Sequence, residues 1–134
     1  MKVLPFGDVA LLVEVDGLPE VLALAAAVRS ARPAGVLDVV PAARTVLLTV
    51  GPGTDLAELR RTVLDLPVDP ASVRDGETVE IPVTYDGPDL TEVARLTGLD
   101  ESEVVAAHTG TPWRIAFGGF APGFAYLTLS LIHI

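Results

Sequence analysis

The sequence predicts an α+β fold whose N-terminal part is a two-layer β-β-α-β-β-α sandwich, with both helices on one face of a four-stranded antiparallel sheet. Three observations carry this. Apolar runs of strand length come in pairs; a stretch with helical spacing follows each pair; and glycine or proline marks the junctions. Each helix has one apolar stripe to bury, and an antiparallel sheet offers one face to bury it on.

Taken in order, Val3 to Phe6 and Val9 to Val15 are apolar runs joined through Gly7-Asp8, and they read as the two strands of a tight hairpin. Leu18, Val21, Leu22, Ala25 and Val28 then recur at helical spacing until Pro33 and Gly35 stop them. Val36 to Val40 and Thr45 to Val50 form a second strand pair across Pro41-Ala-Ala-Arg44. After Gly51-Pro-Gly53, Asp55 with Glu58 three residues on opens a helix that carries Leu56, Leu59 and Val63.

Leu66 to Gly76 contains Pro67, Pro70 and a closing glycine without a sustained period, which reads as a linker and divides the chain into residues 1–76 and 77–128. Thr78 to Tyr85 reads as a strand, at an edge or irregular because Pro82 has no N–H for a ladder. Two short helices are expected next. Asp89 with Glu92 caps the first and Gly98 closes it; Asp100 with Glu103 caps the second, with Leu99 placed to staple onto Val104.

Trp113, Ile115 and Phe117 alternate with Arg114 and Ala116 as a half-buried strand does, until Gly118-Gly119 ends the alternation. Pro122-Gly123 is then a type II turn signal, surrounded by Phe120, Phe124 and Tyr126. On the residues alone two readings stand: a tight corner whose rings cover the core, or an aromatic-lined loop that binds something.

Composition narrows the function. The chain has 134 residues, half of them hydrophobic, enough for one real core. Nine basic against eighteen acidic residues give a net charge of −9, which argues against nucleic acid as a partner. The helix pair from Leu90 to His108 has the short turn of a helix-turn-helix, but its second helix opens Asp100-Glu-Ser-Glu103 and carries no Lys or Arg through Ala107. With no cysteine, disulfides and thiolate chemistry are excluded. No apolar window approaches a membrane span or an export signal, so a cytoplasmic protein without a membrane partner is expected.

His108 is the only histidine outside the last six residues, which excludes a metal site built on histidine pairs. It reads either as a cap at a helix C-terminus or as a substrate- or partner-binding residue. No Gly-Lys-Ser/Thr follows Gly118-Gly119, which excludes a Walker-type phosphate loop, and no Ser-His-Asp arrangement is recognisable. Glu58, Glu92 and Glu103 are accounted for as capping partners, and Asp16, Asp69 and Asp86 as turn residues, so no catalytic residue is assigned.

Three motifs in order, Ile81-Pro-Val-Thr-Tyr85, His108-Thr109 and Gly119-Phe-Ala-Pro-Gly-Phe-Ala-Tyr126, resemble those of the KipI/PxpB family, also described as allophanate hydrolase subunit 1 or carboxyltransferase subdomains C and D. Gly7-Asp8 and Asp38-Val-Val-Pro41 extend the resemblance over most of the chain; Ala43-Arg44 and Trp113 depart from it, standing where that family more often has tyrosine. The resemblance implies that residues 77–128 begin a cyclophilin-like β-barrel domain, incomplete in this chain. It implies a PxpB-like subunit of ATP-dependent 5-oxoprolinase, which hydrolyses 5-oxo-L-proline to L-glutamate with a PxpC-type subunit and a PxpA-type protein. ATP would be used by the assembled complex, with no cofactor bound by this chain alone. The family's other branches imply a KipI-like inhibitor of a sensor histidine kinase, or a carboxyltransferase subunit related to allophanate hydrolase and urea carboxylase.

The implied binding residues are Gly119, Phe120, Pro122, Gly123, Phe124, Tyr126 and His108. Gly119 and Gly123 would present backbone N–H groups to a developing oxyanion, and the rings of Phe120, Phe124 and Tyr126 would exclude water. The ending Leu129-Ser-Leu-Ile-His-Ile134 leaves the family pattern. It is the translation of CTG TCT CTT ATA CAC ATC, a transposon-end adapter used in preparing sequencing libraries, so residues 129–134 read as an artefact and are set aside from fold reasoning.

Overall fold

Alternation at period two turns Leu11, Val13 and Val15 to one side of their strand and Val46, Leu48 and Val50 of the adjacent strand to the same side, where they form one buried cluster. The computed structural model describes residues 1–72 and 76–129. The strands are β1 (Lys2–Pro5), β2 (Ala10–Glu14), β3 (Val36–Pro41) and β4 (Thr45–Val50), with helix α1 (Leu18–Ala31) before β3 and α2 (Leu56–Leu64) after β4. The sheet runs β1-β2-β4-β3 with every neighbouring pair antiparallel. The predicted order and the four-stranded antiparallel sheet are both present.

Val21, Leu24, Ala25 and Val28 make the inward stripe of α1, each no more than 1% exposed. Leu59 and Val63 of α2 join the same cluster, so both helices close over the same sheet face. Burying each such Val or Leu side chain contributes about 1.5–3 kcal/mol, which makes this cluster the main source of stability in the unit. Arg32 ends α1 in the left-handed region at φ 47°, its N–H donating to the Val28 carbonyl, and Pro33 prevents continuation. Asp55 starts α2 by accepting from the N–H groups of Ala57 (2.8 Å) and Glu58 (3.1 Å).

The entries to β3 and α2 meet at Gly35, where a Cβ would stand 2.3 Å from Thr54 Oγ1 and φ is +84°. Only glycine meets both conditions. β3 is irregular between Val36 and Asp38, and Leu37 is exposed there.

The described residues fall into two compact units, 1–72 with Ile115–Tyr126, and 76–114 with 127–129. The second unit holds α3 (Leu90–Thr97) and α4 (Glu101–Thr109), packed on each other. Beyond them β5 (Trp113–Gly118) and β6 (Ala125–Leu129) pair as a two-stranded sheet. Residues 73–75 of the expected linker and 130–134 of the suspected adapter-encoded tail lie outside the described residues.

Two local expectations are corrected. Residues 78–85 form no strand: no described strand pairs with them, Pro82 offers no N–H for a ladder, and Val79, Ile81 and Val83 are exposed. At α3 the Asp89 side chain makes no cap, because its backbone is already helical at φ −84°, ψ −9°, and Glu92 is engaged by Arg95 Nε and Nη2 instead. Gly98 does close α3 in the left-handed region at φ 72°. At α4 the expected capping box is complete, with Asp100 Oδ1 accepting from Glu103 N–H and Glu103 Oε2 from Asp100 N–H, both at 2.8 Å.

Candidate functional site

The hairpin turn between β5 and β6 is built by three backbone hydrogen bonds. Gly119 N–H donates to Phe124 O at 3.2 Å, Ala121 N–H to Gly119 O at 2.8 Å, and Phe124 N–H to Ala121 O at 3.0 Å. The last closes a turn with Pro122 and Gly123 at its centre and Gly123 at φ 78°, which is the type II turn the Pro-Gly pair predicts. The second folds the chain tightly around Phe120, which sits at φ 64°. A phenylalanine held there costs on the order of 1–3 kcal/mol, and such positions cluster at functional sites.

The rings of this turn stack on one another. Phe117 and Tyr126 lie 4.7 Å apart with planes 26° from parallel, Phe124 meets Tyr126 edge-on at 5.3 Å, and Phe120 meets Phe124 in the same manner at 5.3 Å. Phe120 is 89% exposed, and Phe124 and Tyr126 are nearly half exposed. None of the three belongs to the buried core cluster, so the turn presents an aromatic surface instead of covering the core.

Six of the predicted site residues, Gly119, Phe120, Pro122, Gly123, Phe124 and Tyr126, are therefore brought together on this turn. The backbone donors divide differently from expectation. The Gly119 N–H is consumed by Phe124 O, whereas the Gly123 N–H has no intramolecular acceptor among the described residues.

His108 belongs to the other unit, in the last turn of α4. Its ring does not cap the helix: Nδ1 is hydrogen-bonded to the Tyr85 hydroxyl at 2.5 Å. Its main-chain carbonyl accepts from Trp113 Nε1 at 2.8 Å, so the indole supplies the cap. Tyr85 meets the imidazole edge-on at 5.8 Å, and Trp113 lies across it at 5.3 Å. Tyr85 is a hydrogen-bond partner of His108 that local sequence reasoning passes over, since the two lie 23 residues apart; the motif Ile81 to Tyr85 is the one signal that marks it.

Glu92, Arg95 and Asp100 of this unit are exposed. The Ser102 hydroxyl and then the Glu103 N–H, both donating to Asp100, hold its carboxyl below the usual carboxylate range, and the Arg95 guanidinium does the same for Glu92. Among the described residues no group of three or more His, Asp or Glu side chains is arranged to hold a metal, and no helix is long and apolar enough to cross a membrane.

Comparison with known proteins places this geometry in a family. Residues 1–130 match the carboxyltransferase domain, subdomain C and D. A stretch of 52 residues is 48% identical to the B-type subunit of 5-oxoprolinase from Escherichia coli O157:H7, covering 37% of this chain and 24% of that protein. The same share of the chain is 48% identical to the corresponding 5-oxoprolinase component of Bacillus subtilis (strain 168), over 22% of its length. The crystal structure of TTHA0988 superposes with a TM-score of 0.69 at 38% identity, over 88% of this chain and 25% of that one. The chain thus spans about a quarter of the length of these relatives. The match across nearly its whole length shows that it belongs to the carboxyltransferase subdomain C and D family.

Proposed function

We propose that this chain is part of a PxpB-type subunit of 5-oxoprolinase, a component of an assembly that hydrolyses 5-oxo-L-proline to L-glutamate with ATP. The observation that carries the reading is the 48% identity over 52 residues to the B-type component of 5-oxoprolinase in two distantly related bacteria. A PxpC-type subunit and a PxpA-type protein complete the assembly in this reading.

A lactam carbonyl is a poor electrophile, so ring opening needs an activated carbonyl oxygen and a held water, with donors positioned for the charge that develops. ATP, used by the whole assembly, supplies the activation. In this chain the exposed turn of residues 119–126 contributes an aromatic surface and, among its backbone donors, the Gly123 N–H, which has no acceptor among the described residues. Phe120, Phe124 and Tyr126 are the kind of large, pre-ordered side chains that anchor partner interfaces, and docking on them removes water from the neighbouring donor.

Reconstitution tests the reading. The complete protein, mixed with PxpC-type and PxpA-type partners, is expected to release phosphate and glutamate only when 5-oxoproline and ATP are both present. No turnover from that mixture, together with inhibition of sensor histidine kinase autophosphorylation by the chain, would replace this reading with the inhibitor one.

A further inference from the structure

The contact between Tyr85 and His108 joins two segments that the chain keeps 23 residues apart, and it has a chemical direction. A phenol O–H is a stronger donor than a neutral imidazole N–H, and an imidazole nitrogen is a better acceptor than a phenol oxygen. Tyr85 therefore donates to Nδ1 and leaves the ring proton of neutral His108 on Nε2. Trp113 Nε1 donates to the residue's main-chain carbonyl at 2.8 Å, and the indole ring lies 5.3 Å from the imidazole. Nε2 has no partner among the described residues, and His108 is exposed.

We propose that Tyr85, His108 and Trp113 form a binding site for a planar neutral amide, with His108 Nε2–H donating to its carbonyl oxygen and the Trp113 ring lying against its plane. Tyr85 is the positioning residue, fixing the tautomer that makes Nε2 a donor. Residues 76–114 carry eight carboxylates against two arginines, so the contact suits the amide group of a ligand and not a carboxylate; the carboxylate of 5-oxo-L-proline would lie outside it. The choice of a lactam as the amide rests on the oxoprolinase reading; the Nε2 donor and its indole neighbour do not.

The test is imidazole ¹⁵N NMR on the full chain, titrated with 2-pyrrolidinone as a neutral lactam probe. The site predicts the Nε2–H tautomer for His108 in the unliganded protein and a loss of that bias in Tyr85→Phe. It also predicts that pyrrolidinone shifts the His108 Nε2 and Trp113 Nε1 signals, with binding about tenfold weaker in Tyr85→Phe, the loss of one hydrogen-bonded orientation. An Nδ1–H tautomer, or a probe that leaves both signals in place, overturns the site. Pyrrolidinone binding without 5-oxoproline-dependent ATP hydrolysis in the assembled complex leaves the site and removes the oxoprolinase reading. Hydrolysis unchanged in a folded His108→Ala variant removes the site and leaves that reading.

Discussion

Phe117 and Tyr126 stack nearly face to face across the β5-β6 hairpin, 4.7 Å between ring centroids. This pair is the base of the exposed turn. Phe124 rests edge-on against Tyr126, and Phe120 stands outermost at a left-handed φ. The rings that extend into solvent are ordered by the stack beneath them, so little side-chain freedom remains to be lost when a partner docks.

Phe120→Gly is expected to separate stability from function. At φ 64° glycine is relaxed where phenylalanine is strained, and the ring is almost fully exposed, so the variant should be as stable as the parent or up to about 1 kcal/mol more stable. Denaturant midpoints with an unchanged slope check this. A clear loss of stability would mean that the edge-on contact of Phe120 with Phe124 outweighs the relief of backbone strain.

The first unit depends on the contact of α1 with the sheet. Leu24→Ala removes a fully buried side chain and is expected to cost about 2–5 kcal/mol, whereas Leu37→Ala at the exposed irregularity of β3 should fall within about 0.5 kcal/mol of the parent. Thermal or chemical unfolding measures both. Equal costs at the two positions would contradict the assigned core.

Asp100 gives the start of α4 a pH dependence. The depressed carboxyl pKa means that its stabilisation of the helix start is present above the unfolded value, about 3.9, and is lost as pH falls through the folded value. Protection factors of the first-turn amides of α4, corrected for intrinsic exchange, should therefore fall on acidification below about pH 4, and Asp100→Ala should abolish that response. Protection that is flat with pH in the parent protein would show that the cap is not formed.

The N-terminal sandwich is legible in the sequence because its signals are local and repeated: Val21, Ala25 and Val28 announce one helix face, though the leucine buried among them is Leu24 and not the Leu22 of the predicted stripe, and alternating residues of β2 and β4 announce one sheet face. The Pro122-Gly123 turn is legible for the same reason, since Gly123 alone satisfies its positive φ. What is not legible is long-range or competitive. Tyr85 finds His108 through tertiary packing, and Trp113 displaces the His108 ring from its expected capping role. Glu92 has two suitors in sequence, the Asp89 N–H as a capping partner and Arg95 one turn on; the bidentate guanidinium contact wins. The apolar alternation of residues 78–85 satisfies a strand pattern, but a strand also needs a ladder partner, and no described strand supplies one.

The most direct test of the functional account is Phe124→Ala in the complete protein, assayed for melting temperature and, with the PxpC-type and PxpA-type proteins of the proposed assembly, for 5-oxoproline-dependent ATP hydrolysis. Because the ring is nearly half exposed and outside the core cluster, the account predicts a stability loss of no more than about 1 kcal/mol together with a fall in partner affinity or turnover of tenfold or more. A loss of about 3–5 kcal/mol with full activity in the surviving folded fraction would contradict it, returning the ring to a purely structural role.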